Sequence, residues 1–163
     1  MPDPAADPVE PPFGEPSQPV FGAPGHPTTD GPVDGDMRGR LAVVTGATGL
    51  LGAALVAELS ARGAMVCLVG RDLAGLEATV DGLDADARTA LLQCDLALGE
   101  DVVSAVDFVE RLDRPVDLVV HAAGMSAPAR IADSPVEGLD EHYLLNVRGP
   151  YVFAMSQTIG GYA

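Results

Sequence analysis

The sequence predicts an α/β fold: a doubly wound parallel sheet of about four strands, incomplete on one side and preceded by a disordered leader. Three observations predict it. The uncharged run Leu41 to Val44 passes through closely spaced glycines straight into a helical pattern that stops at Gly63. Strand-like and helix-like runs then alternate with short connections, as in parallel β-α units. Residues 1–36 hold ten of the fourteen prolines, seven acids and no arginine. Such a segment buries too little apolar surface to offset its chain entropy, so the boundary falls at 36/37, with the folded part over 37–163.

The elements follow in order. Leu41 to Val44 has the β-branched, uncharged composition of a buried parallel strand. Leu50, Leu51, Ala54, Leu55 and Leu59 recur at helical intervals until Gly63, which predicts a helix. Ala64 to Val69 reads as a second strand. Leu73 to Leu83 is a short helix interrupted by Gly75 and closing near Gly82, and Thr89 to Cys94 a third strand. Glu100 to Leu112 is amphipathic, with Val102, Val103, Val106, Val109 and Leu112 inward. Val116 to Val120 is the fourth strand, and a loop runs from Ala122 to Asp133. Ser134-Pro135-Val136-Glu137 predicts a capping box opening the next helix.

The glycine turn carries the first functional reading. Gly46, Gly49 and Gly52 lie three residues apart between strand and helix. There Gly46 allows the tight turn, Gly49 admits backbone close to a pyrophosphate, and Gly52 lets helix and strand pack. The phosphates would rest on the first N–H groups of the new helix. The same stretch, Leu41 to Ala57, is also seventeen residues without a charge, the lower edge of a membrane span. Its glycines and threonines argue against that alternative.

Composition excludes other classes. Nine basic residues, all arginine, against 24 acids give a net charge of −15, which disfavours nucleic acid and anionic membrane as partners. Cys67 and Cys94 fall in expected strands, as core thiols of a cytoplasmic protein would. His26, His121 and His142 are too scattered to suggest a metal site. Phe13-Gly14 and Phe21-Gly22 repeat in the leader without flanking basic residues, so a solvated leader is preferred to a partner motif.

Together these elements resemble the short-chain dehydrogenase/reductase family over about residues 38–160. TGATGLLG is similar to that family's phosphate loop, which makes Thr45, Gly46, Thr48, Gly49, Leu50, Leu51 and Gly52 expected cofactor contacts. Asp95-Leu96 resembles its adenine clamp. HAAG, His121 to Gly124, resembles the element after strand four, so Ala122, Ala123 and Gly124 would leave room for a ribose. LLNVRGP resembles the helix carrying the catalytic asparagine, here Asn146, and Pro150 denies the Asn146 carbonyl its usual helical donor. The resemblance implies a Rossmann-like fold, an NAD(P) cofactor and hydride exchange with a small carbonyl or alcohol. The glycine spacing is closer to the extended epimerase/dehydratase branch, whereas HAAG and N-V-x-G lean to single-domain reductases; the branch stays open.

Cofactor choice is read at the second strand's end, Val69-Gly70-Arg71-Asp72. Gly70 stands where NAD binding favours an acid, and Arg71 suits a 2′-phosphate, so NADP is favoured over NAD. Asp72 fits either a ribose contact or a helix N-cap. The family's Tyr-x-x-x-Lys is missing, because the chain contains no lysine. Without a neighbouring cation a tyrosine stays near pKa ~10, too high for efficient base work. The expectation is a cofactor-binding half of an oxidoreductase, truncated and inactive alone. The alternatives are a non-catalytic NAD(P)-binding sensor or partner module, or part of an extended epimerase/dehydratase. The family usually pairs through the Asn146 helix and the next, which makes a homo-oligomer an option.

Overall fold

The computed structural model describes residues 35–112, 114–128 and 130–159. Residues 1–34 of the expected 1–36 leader, with the Phe-Gly repeats, lie outside these residues. Four strands, β1 (Leu41–Thr45), β2 (Met65–Gly70), β3 (Arg88–Gln93) and β4 (Leu118–His121), form one parallel sheet in the order β3-β2-β1-β4. The helices are α1 (Leu50–Ala61), α2 (Leu73–Asp81), α3 (Gly99–Glu110), α4 (Val136–Tyr143) and α5 (Gly149–Ile159). Leu41 pairs with Met65 and Ala42 with Leu118, so β1 is central and strand order reverses beside it.

Alternation along the strands builds two cores. Val44, Val66 and Leu68 point to the face covered by Val56 of α1 and Leu76 of α2. Leu41, Val43, Cys67 and Val69 point to the other, under Val102, Ala105, Val106 and Val109 of α3 and Phe153 of α5. Each fully buried Val, Leu or Phe side chain contributes about 1.5–3 kcal/mol relative to exposure. The uncharged Leu41–Ala57 run is thus a strand, a turn and a helix. Among the described residues no helix is long and apolar enough to cross a membrane.

Packing sets the buried face of one helix and corrects two local expectations. On α1 the inward residues are Gly52 and Val56, while Leu50, Leu51 and Ala54 face outward; Leu50 is 95% exposed. α1 is apolar on nearly every side, so periodicity alone cannot choose its buried face, and contact of Gly52 with the preceding turn sets the rotation. On α3, Val103 is exposed and Ala105 takes the inner position. The capping box before α4 does not form: Pro135 is the N-cap, and the Ser134 hydroxyl donates to the Arg130 carbonyl at 2.9 Å.

Glycine placement agrees with local chemistry at two points. Gly46 (φ 66) turns the chain out of β1, and Gly63 (φ 87) follows α1, both in the left-handed region where a Cβ is strained. Asp117 ties the start of β1 to the segment before β4, accepting from the Leu41 N–H and from the Arg40 guanidinium, each at 2.9 Å. Those two donors hold its carboxyl below the usual 3.8, the backbone N–H being the larger cause.

Candidate functional site

The carboxyl ends of β1, β2 and β4 border a cleft of about 220 Å³. This is where ligands enter open α/β sheets, beside the reversal of strand order. Its floor is the turn between β1 and α1. A Cβ on Gly46 would lie 2.6 Å from the Ala123 backbone, and one on Gly52 would overlap the Gly46 carbonyl oxygen, so both glycines permit the turn to fold on itself. Gly49 differs. A Cβ there would meet only the Gly46 oxygen at 3.3 Å, leaving the approach to the first turn of α1 open. The turn is anchored to the neighbouring strand by the Ala47 N–H donating to the Val69 carbonyl at 3.2 Å.

The expected site residues divide into two groups. Gly46, Thr48, Gly49, Arg71, Leu96, Ala122, Ala123 and Gly124 border the cleft. Thr45 is fully buried; its hydroxyl accepts from the Ala123 N–H at 3.3 Å and faces the Val120 carbonyl at 3.5 Å. It therefore holds the β1 and β4 ends together behind the cleft. Leu50 and Leu51 are exposed at the start of α1, and Gly52 is buried under the turn. The Asp95 carboxylate accepts from the Ala97 N–H at 3.0 Å, a local turn that orients the chain into Leu96. Asp72 caps α2, accepting from the Ala74 N–H at 3.2 Å.

Asn146 lies in a wide helical turn, Leu144–Arg148, between α4 and α5. Pro150 has no N–H to offer the Asn146 carbonyl, and here the Gly149 N–H reaches back five residues to Leu144. The Asn146 amide grips the loop after β4 with both ends: its oxygen accepts from the Met125 N–H at 2.9 Å, and its nitrogen donates to the Met125 carbonyl at 2.8 Å. His142 fixes the same loop one turn earlier. Its Nε2 accepts from the Ala127 N–H at 3.1 Å, so Nδ1 carries the hydrogen and donates to the Gly138 carbonyl at 2.6 Å. Gly149 lets α5 approach closely, because a Cβ there would strike the Leu96 carbonyl oxygen.

Val69, Cys94 and Leu145 also border the cleft and were not expected there. Their signal was position: Val69 and Cys94 lie at or just beyond carboxyl strand ends, the locus the fold class designates for ligands. Burial pushes the Cys94 thiol up to about 11, with Asp101 and Asp95 adding to the effect, and pushes Cys67 up to about 12. Both thiols stay protonated at neutral pH. His121, at the end of β4, packs edge-on against Phe153 with centroids 6.2 Å apart, and desolvation lowers its pKa.

The arrangement fits an anionic dinucleotide. Arg71 is the one charged side chain among the described lining residues, no carboxylate faces the cleft there, and α1 begins at its floor. The cleft is below the usual ~300–1,000 Å³ of small-molecule pockets, enough to enclose part of such a ligand. The short chain dehydrogenase profile matches residues 40–159. The chain belongs to the short-chain dehydrogenase family. It is 32% identical over 117 residues to (+)-borneol dehydrogenase 2 of Salvia officinalis, covering 70% of this chain and 41% of that protein. It is 30% identical over 129 residues to NAD-dependent glycerol dehydrogenase of Listeria innocua, covering 78% and 48%. L-sorbose reductase from Gluconobacter frateurii, solved with NADPH and L-sorbose, superposes with a TM-score of 0.73 at 25% identity, covering 78% of this chain and 49% of that one. This short-chain dehydrogenase chain spans about half the length of the curated relatives it matches. Its Rossmann-like sheet and oxidoreductase ancestry follow from the match.

Proposed function

We propose that the chain is the NADP-holding part of a reductase that exchanges hydride with a small carbonyl or alcohol, with residues 1–36 as leader and 37–163 as the binding domain. When bound, the nicotinamide supplies or accepts the hydride. The β1–α1 turn would take the pyrophosphate through its amides, Leu96 would line the adenine, and Ala122 to Gly124 would leave room for ribose. Asn146 would order the loop beside the reacting centre.

Arg71 carries the choice of NADP. Its side chain is exposed at the cleft mouth and enters no ion pair among the described residues. An acid at Gly70 is disfavoured, since a Cβ there already meets Leu76 at 3.2 Å, and Asp72 is engaged as the N-cap. A guanidinium pairs with a 2′-phosphate through charge-assisted, bidentate hydrogen bonds, and with the 2′-hydroxyl of NAD through at most a single weaker one. Two buried free thiols suit a reducing cytoplasm.

The test is to titrate the 163-residue chain with NADPH and NADH, then repeat with Arg71→Asp. Tighter binding of NADPH in the wild type and a reversed preference in the variant are expected. An unchanged ratio would discredit the phosphate contact.

A further inference from the structure

The turn that carries Arg71 is held by a side chain from the next strand. Gln93 ends β3 directly beside Gly70 in the sheet register. Its amide nitrogen donates to the Arg71 carbonyl at 3.0 Å, and the following Cys94 N–H donates to the Gly70 carbonyl at 2.9 Å. On the other side, Asp72 is committed to the cap of α2. The peptide before Arg71 is therefore set by the sheet, and the Asp72 side chain by the start of α2. The carbonyl of Arg71 itself is held by Gln93, a surface residue whose amide would otherwise be solvated.

We infer that Gln93 is a positioning residue for cofactor choice: it fixes the peptide that aims the Arg71 guanidinium across the cleft mouth. This inference rests on the reading of Arg71 as the 2′-phosphate contact. With the carbonyl pinned, Arg71 enters binding with part of its ordering already done. Without the amide, that peptide exchanges its bond for water and the guanidinium must be ordered by the ligand. NADH has no 2′-phosphate and would not register the difference.

The experiment measures Kd for NADPH and for NADH with the wild type, Gln93→Met, Arg71→Ala and the double variant, with circular dichroism as the check on folding. Gln93→Met should lower the preference for NADPH about five-fold, the scale of one neutral hydrogen bond. It should leave NADH binding unchanged and have no further effect once Arg71 is alanine. If Gln93→Met fails to fold, Gln93→Asn removes the same reach with its amide chemistry kept, and the same change is expected. A wild type without NADPH preference, or an Arg71→Ala variant that keeps it, removes the underlying function and this inference with it. An Arg71→Ala variant that loses the preference while Gln93→Met retains it overturns the inference alone. So does a Gln93 effect that is equal for both cofactors or persists in the Arg71→Ala background.

Discussion

Replacing Gly49 with valine should separate binding from folding. Gly49 is the N-cap of α1 at φ −75 and ψ 161, extended backbone open to any residue. Its added Cβ would meet one atom, the Gly46 oxygen at 3.3 Å. The expected loss of stability is the poor N-cap preference of valine, roughly 1 kcal/mol. Binding should suffer more. The first turn of a helix leaves N–H groups without intrahelical partners, and the valine methyls would stand in front of them. Losing one or two charge-assisted hydrogen bonds, at about 1.5–3 kcal/mol each, amounts to about 3 kcal/mol. This corresponds to about 100-fold in Kd. The assay is NADPH titration by cofactor fluorescence beside a urea unfolding curve. Gly52→Ala is the contrast: its Cβ would overlap the Gly46 carbonyl oxygen and lie 3.0 Å from Ala47 Cα, so the turn must shift. Overpacking of this kind costs about 1–3 kcal/mol, and stability should fall together with affinity. An NADPH affinity unchanged in Gly49→Val would refute the phosphate-turn reasoning.

Two further outcomes follow from the geometry. Asn146→Ala removes both bonds to Met125 and should cost about 1 kcal/mol at this exposed site, with faster hydrogen exchange at the Met125 amide. Unaltered protection there would show that the loop does not depend on the amide. Asp117 has a depressed pKa in the folded state, so its stabilisation is complete above 3.8 and is lost as pH falls through the lower folded value. Urea unfolding across that acid range should therefore show a shallower pH dependence in Asp117→Asn than in the wild type; identical slopes would contradict the assignment.

What the sequence determined by itself is the order of elements and the identity of the cleft-forming turns. Those depend on local physics: uncharged β-branched runs favour buried strands, and Gly46 and Gly63 occupy a backbone region that other residues resist. The reversal of strand order beside β1, and hence the cleft, follows from chaining such units. Tertiary structure alone decided which way individual side chains turn. Leu50 and Leu51 shared a helical stripe with Leu55 and Leu59, yet the seating of Gly52 on the Gly46 carbonyl rotates them outward. Thr45 turns inward because Ala123, 78 residues away, supplies its donor. Asn146 spends its amide on Met125 across 21 residues, and Gln93 meets the Arg71 carbonyl across 22. Periodicity records which residues lie on one side of an element. The partner on that side is set by packing between distant segments, and one sequence window does not contain it.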